Sequence, residues 1–169
     1  MAFGEAGGEV KIIAVVGTGS GCGKTTVASR ILAAIPGLGA VKISPRPGPS
    51  RVEWGAGAPG KDTALYVESG AAPVARIIGP RGEVGVSWDL IKDRFRECRG
   101  VVIEGTSALD LPGNRFVVFV VGGSFDKARE SRNREIGVKA SIIYRRSSHC
   151  GIEFLIMGVR AFVEDPKIR

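Results

Sequence analysis

Every second residue from Gly17 to Gly23 is glycine, and the run leads directly into Lys24-Thr25-Thr26. A backbone without Cβ atoms at those places can curl so that successive N–H groups point inward at one anion. Lysine adds a mobile point charge. A threonine hydroxyl suits Mg²⁺, which takes few protein oxygens and keeps several waters. The chemistry implied is the cradling of a nucleotide's phosphates by Thr18, Gly19, Ser20, Gly21, Cys22, Gly23, Lys24, Thr25 and Thr26. Lys24 would reach the β and γ phosphates, and Thr25 would join the metal shell. Against the usual spacing G-x-x-x-x-G-K-[ST], the place six before Lys24 is Thr18 and the glycine lies one residue earlier, at Gly17, so the loop is one residue longer. The bland alternative is a glycine-rich turn between a strand and a helix. The Gly-Lys-Thr-Thr ending and both flanking elements speak against it.

Glu104 is the second chemical residue. It closes the apolar run Val101-Val102-Ile103 and precedes Gly105, so its carboxylate would emerge at the carboxyl end of a central strand, where ligands of open α/β sheets bind. A nucleotide-bound Mg²⁺ needs such a carboxylate, direct or through water; the alternative is a strand-end glutamate facing solvent. Lys42, also at a strand end, would touch the γ phosphate or an acidic substrate, or is an ordinary surface lysine. The expected catalytic residues are thus Lys24, Glu104 and Lys42, and the expected metal ligands Thr25 and Glu104. Asp62 reads first as a helix cap and second as part of the metal shell. Arg46, Arg51 and Lys61 lie on a long Pro- and Gly-rich segment that would close over an anion as a lid. His149 has no plausible partner and is assigned no role.

The elements needed to position these groups follow from periodicity. Residues 10–16 predict a buried strand, and Val27, Ala28, Ile31, Leu32 and Ile35 recur at helical spacing until Pro36-Gly37. A strand at 40–44 is followed by a loop over 45–60, then by a helix at 63–69 capped by Asp62 and a strand at 74–78. Ser87 would cap a helix at 88–98, with Leu90, Ile91 and Phe95 on one face. Strands are expected at 101–104 and 115–121, the second buried on both sides, then a helix at 124–134 and final strands at 141–145 and 152–157. Strands alternating with helices imply an α/β fold with a mostly parallel sheet covered on both faces.

The chain has 169 residues, the size of one domain, and no apolar run of membrane-spanning length. Its first residues lack a basic segment followed by an apolar one, so a soluble cytoplasmic protein is expected. Three cysteines, Cys22, Cys98 and Cys150, show no metal-ligand spacing and argue against a disulfide framework. Cys22 is either a small residue that the loop tolerates or a reactive thiol at a helix N-terminus. The formal charge is +7, with a denser basic stretch at Lys127, Arg129, Arg132, Arg134, Lys139, Arg145 and Arg146. Only Tyr144 is aromatic there, so a solvated face or an anionic small-molecule site ranks above nucleic acid. Glutamine is absent and asparagine scarce, as in proteins from hot habitats.

The loop from Gly17 to Thr25 resembles that of dethiobiotin synthetase and the cobyrinic acid amide synthetases, whose loops also carry the extra residue. Those proteins share a P-loop class with the Min and Par ATPases. The second lysine usual in that last group is Gly19 here, so dimerisation through it is not implied. A closer resemblance is to the molybdopterin-guanine dinucleotide biosynthesis protein B family. It rests on Val41-Lys42 at a strand end, Pro59-Gly60-Lys61-Asp62-Thr63 before a helix that ends in Gly70-Ala71-Ala72, and Glu104-Gly105. The histidine-rich stretch usual after the lysine is replaced by Ile43-Ser44-Pro45-Arg46, and Glu-Gly is followed by Thr106-Ser107 instead of Phe-Lys.

The resemblance implies a three-layer P-loop NTPase fold with a mostly parallel central sheet, a single domain over 1–169 with 45–61 as its lid, and binding of GTP or ATP with Mg²⁺. It further implies slow NTPase activity in an accessory protein of molybdenum cofactor biosynthesis, with a molybdenum-cofactor enzyme or its maturation partner as protein partner, and dimers are common in the class. The Asn-Lys-x-Asp guanine reader is missing, yet the resemblance favours GTP. The alternative is an ATP-dependent ligase or kinase of the dethiobiotin synthetase type, passing the γ phosphoryl to a carboxylate or hydroxyl of a small acid.

Overall fold

The computed structural model describes residues 9–122, 131–145 and 151–168. Its frame is one seven-stranded sheet: β1 (Ile12–Gly17), β2 (Leu38–Pro45), β3 (Arg51–Trp54), β4 (Val74–Gly79), β5 (Gly100–Glu104), β6 (Arg115–Val121) and β7 (Ile142–Arg145). The strands lie in the order β3-β4-β2-β5-β1-β6-β7, all neighbours parallel except β3, which runs antiparallel to β4 at the edge. Among the described residues five helices flank the sheet: α1 (Lys24–Ala34), α2 (Asp62–Glu68), α3 (Val84–Ile91), α4 (Ser131–Lys139) and α5 (Ile152–Glu164).

Strand alternation divides the apolar residues between two cores, as a sheet covered on both faces requires. Ile13, Val15, Val102, Val118 and Val120 pack with Ile31 of α1, Tyr66 of α2 and Leu155, Val159 and Val163 of α5. Ile12, Ala14, Val16, Ile103 and Phe119 face the other way, against Val84, Trp88 and Ile91 of α3 and Ile136 of α4. Burial of β1 along its whole length and of Val117 to Val120 in β6 matches the continuous apolar runs in the sequence. The chain leaves the neighbours β1 and β5 in opposite directions along the sheet, toward β2 and toward β6. That divergence opens a crevice at their carboxyl ends, the place where open sheets bind ligands.

Several expected elements need correction. The segment 152–157 is not a strand but the first half of α5: Ile152, Leu155, Val159 and Val163 are buried at helical spacing while Phe154 and Met157 are exposed. A short apolar run fits either reading, and only the longer pattern decides. The loop over 45–60 contains β3, an edge strand with only Val52 partly buried, too short to stand out among prolines and glycines. The helix expected at 88–98 starts earlier, at Val84, and gives way after Ile91 to a 3₁₀ turn, Lys92–Phe95. Ser87 lies buried inside it and caps nothing, and Leu90, expected on the packed face, is exposed. Of the helix expected at 124–134, residues 124–130 lie outside the described residues, as do Lys127, Arg129, Arg146, His149 and Cys150; α4 covers the rest and continues to Lys139. Among the described residues no helix is long and apolar enough to cross a membrane.

If α5 is packed as described, Leu155→Ala should cost about 2–5 kcal/mol in denaturant melts, whereas Phe154→Ala should change stability by less than about 0.5 kcal/mol. Comparable losses from both would contradict the helical packing.

Candidate functional site

The glycine-rich loop joins β1 to α1 at the crevice. Gly23, immediately before α1, has φ +101°, a left-handed conformation that a side chain would strain. Gly17 is held to glycine by crowding, since a Cβ there would meet the Cys22 Sγ at 2.4 Å and the Val120 carbonyl oxygen at 2.9 Å. Cys22 is buried beneath the loop, which fits the tolerated small residue better than an accessible thiol. Thr18 is tied to β6: its N–H bonds the Val120 carbonyl at 3.1 Å, and its hydroxyl donates to the Gly122 carbonyl at 3.0 Å and accepts from the Gly122 N–H at 3.3 Å. Both donors of Thr18 are therefore engaged, although it still lines the cleft. Lys24 lies across the loop and donates to the Gly19 carbonyl at 2.5 Å.

Beside the loop, four elements converge on Glu104. Lys42 and Glu104 are register partners on β2 and β5, so their side chains share a face. The Glu104 side chain is only 1% exposed. One oxygen accepts from the Lys42 ammonium; the other accepts from the Tyr66 phenol of α2 and lies 3.0 Å from the Thr25 hydroxyl of α1. Asp62, the first residue of α2, stands 3.1 Å from the same hydroxyl and 2.9 Å from Lys42. The expectation that Asp62 caps its helix is thereby corrected, because α2 has no side-chain cap and the carboxylate turns into the cluster. The Thr25 hydroxyl has one proton for two carboxylates, and the cluster of two carboxylates and one ammonium carries a net negative charge.

Burial alone would lower the Lys42 pKa, but the charge and hydrogen bond of Glu104, with Asp62 beyond, outweigh it and hold the ammonium above its ordinary value. Burial would likewise raise Asp62, but Lys42, Thr25 and Arg76 prevail and keep its carboxyl below the usual value. Tyr66 is pushed far up by burial and by the Glu104 charge, so it stays a donor.

The loop and this cluster open on one cleft of about 600 Å³. Gly19, Ser20, Lys24, Lys42 and Glu104 line it together with Arg81, Thr106, Ser107, Arg132 and Asn133. The Ser107 hydroxyl is buried with no hydrogen-bond partner among the described residues, a costly arrangement that a bound group would relieve. Thr26 is exposed and lines a smaller cavity on the far side of the loop, with Arg30, Tyr144 and Ile152. Sequence reasoning had no signal for Tyr66, Ser107, Arg81 or Asn133, because only the folded chain brings Tyr66 to Glu104 and the other three to the cleft. It did identify Lys24, Thr25, Lys42 and Glu104, which meet here. Of the expected lid residues Arg46 and Lys61 line a neighbouring cavity, while Arg51 pairs with Glu53 on β3 at 3.2 Å.

No protein-family profile, curated protein or solved structure matches the chain.

Two outcomes are expected from the cluster. Tyr66→Phe leaves a buried carboxylate one donor short and should destabilise by about 1–3 kcal/mol in thermal or denaturant melts. Asp62 binds its proton more weakly in the folded chain than in the unfolded one, so its contribution to stability is complete above the ordinary value of 3.8 and disappears as pH falls through the lower folded value. Lys42, held above 10.5, contributes fully below that value and loses its contribution as pH rises through the folded one. The gap in Tm between the parent and Asp62→Asn should therefore be level across neutral pH and shrink below about pH 4. A gap that widens in acid would refute the pairing.

Proposed function

We propose that this chain is a Mg²⁺-dependent nucleotide-binding protein of the P-loop NTPase class, with slow hydrolysis of GTP or ATP. The observation that carries the reading is the Thr25 hydroxyl, in the first turn of the helix after a glycine-rich loop, lying 3.0 Å from Glu104 and 3.1 Å from Asp62. Two carboxylates and a hydroxyl fit Mg²⁺ when phosphates and water complete its octahedron. Among the described residues no three His, Cys, Asp or Glu side chains are clustered for a metal, which fits an ion that arrives with its nucleotide.

In this reading the loop N–H groups and the amino end of α1 hold the phosphates. Lys24 leaves the Gly19 carbonyl for the β and γ oxygens. Lys42, bonded to Glu104, adds positive charge near the γ phosphate. The bound metal would supply neutralisation of the charge on the phosphates. Ser107, which lines the same cleft, is a free donor for the same group. The cavity beside Thr26, partly apolar and bearing Tyr144, is suited to the nucleoside.

The sequence resemblance supports an accessory role in molybdenum cofactor biosynthesis with GTP as nucleotide, acting on a molybdenum-cofactor enzyme or its maturation partner. The second reading, a ligase or kinase of the dethiobiotin synthetase type, draws support from the separate cationic cavity that adjoins Lys42.

Lys24→Ala should abolish Mg-nucleotide binding while leaving the melting curve intact; unchanged affinity by calorimetry would remove the central claim. Glu104→Gln should spare binding within about tenfold yet slow turnover by about a hundredfold or more and raise the Mg²⁺ concentration needed for half-maximal rate. Titration with non-hydrolysable GTP and ATP analogues decides the base. A clear preference for ATP would turn the reading toward the ligase or kinase.

A further inference from the structure

At the carboxyl end of the sheet, four residues stand in register across four adjacent strands: Glu53 in β3, Arg76 in β4, Lys42 in β2 and Glu104 in β5. Register partners share a face and lie about 5 Å apart. The outer pairs are complementary, with Arg76 at 3.8 Å from Glu53 and Lys42 bonded to Glu104. The central pair sets a guanidinium beside an ammonium, both largely shielded from solvent, with side-chain exposures of 31% and 18%. Like charges in register on neighbouring strands are destabilising. A local conflict of this kind is expected where function requires it.

Over this pair lies a second cavity of about 600 Å³, lined by Lys42, Arg46, Lys61, Asp62 and Arg76 among others. Arg76 is set in place, its Nε donating to the Ser44 hydroxyl at 3.0 Å. The Arg46 backbone is fixed to β4 by its N–H bond to the Gly79 carbonyl at 2.9 Å. Neither Arg46 nor Lys61 has an ion-pair partner among the described residues. Four cations and one carboxylate line the space, and Glu104 and Glu53 on the flanking strands cancel one charge each through Lys42 and Arg76, leaving an excess of one positive unit, carried by the unpaired Arg46 and Lys61. Arginine forks match carboxylate and phosphate geometry, and a concave cationic wall focuses the field on an anion. No aromatic side chain lines the cavity, so nothing there would stack a nucleobase.

We propose that this cavity is a second anion site, built for a small molecule with a dianionic group, a phosphate monoester or a pair of carboxylates, held by Arg46, Lys61 and Arg76. The proposal deepens the nucleotide-binding reading and rests on it for its orientation: Lys42 lines both cavities, so the guest would face the γ-phosphate end of a bound nucleotide. Calorimetric titration of the full chain with inorganic phosphate and, separately, with succinate tests it, each run with Mg²⁺ and a non-hydrolysable nucleotide already saturating. Saturable binding of one probe molecule per chain is expected, weakened about tenfold or more in Arg46→Ser/Lys61→Ser and retained in Lys24→Ala without nucleotide. Phosphate alone would assign a phosphate monoester and succinate alone a dicarboxylate. Binding of neither probe, displacement of the probe by nucleotide, or undiminished binding in the double variant would overturn the site. If the parent binds no nucleotide at all, the proposed function fails, and the same probes on the nucleotide-free protein still judge the second site.

Discussion

A carboxylate closed off from water at the carboxyl end of a central strand must be compensated, and the compensation of Glu104 organises the region around it. Desolvating an ionised carboxyl costs several kcal/mol unless charge and hydrogen bonds replace the lost water. Lys42 supplies the charge, and Tyr66 and Thr25 supply donors. These three residues come from β2, α2 and α1, so one buried charge binds together elements far apart in sequence. Asp62 then attaches through Lys42 and Thr25 without being buried itself. The same network sets two carboxyl groups beside the glycine-rich loop that joins β1 to α1.

Strand order makes the network possible. Because β5 enters between β1 and β2, the end of β5 adjoins both the loop that follows β1 and the lysine near the end of β2. The apolar residues of the strands give no hint of this order; they serve only to cover both faces. The order emerges from which crossings bury the helices, and the polar residues at the strand ends make use of it.

The local features of the chain were legible in its residues for a physical reason: a glycine-rich loop between a strand and a helix, a buried parallel strand and an amphipathic helix each carry their signal within a short window. Hence Lys24, Thr25 and Glu104, and the bounds of β6, could be read directly. The signals that failed were those needing a longer window or a tertiary partner. The first six residues of α5 suit a strand as well as a helix, and β3 is a short edge with little to bury. Asp62 opens a helix, where a cap is the economical reading, and only the folded chain turns it toward Lys42. Tyr66 looks like any core aromatic until its hydroxyl is seen to end on Glu104.

The extra residue of the loop and the buried Cys22 belong to one mechanical unit. Gly17 is a member of the β1–β6 ladder, paired with Val120, and Thr18 continues the attachment to Gly122. The insertion is thus absorbed where the loop leaves the sheet, while Gly17 to Ser20 line the cleft. Cys22 wedges beneath it, with room only because Gly17 and Gly122 have no side chains: a Cβ on Gly122 would lie 2.7 Å from the Cys22 backbone. Positions 17, 22 and 122 are therefore coupled and non-additive. Any substitution enlarging one of them must be matched by backbone movement at another, and variation at this corner of the fold is possible only in concert.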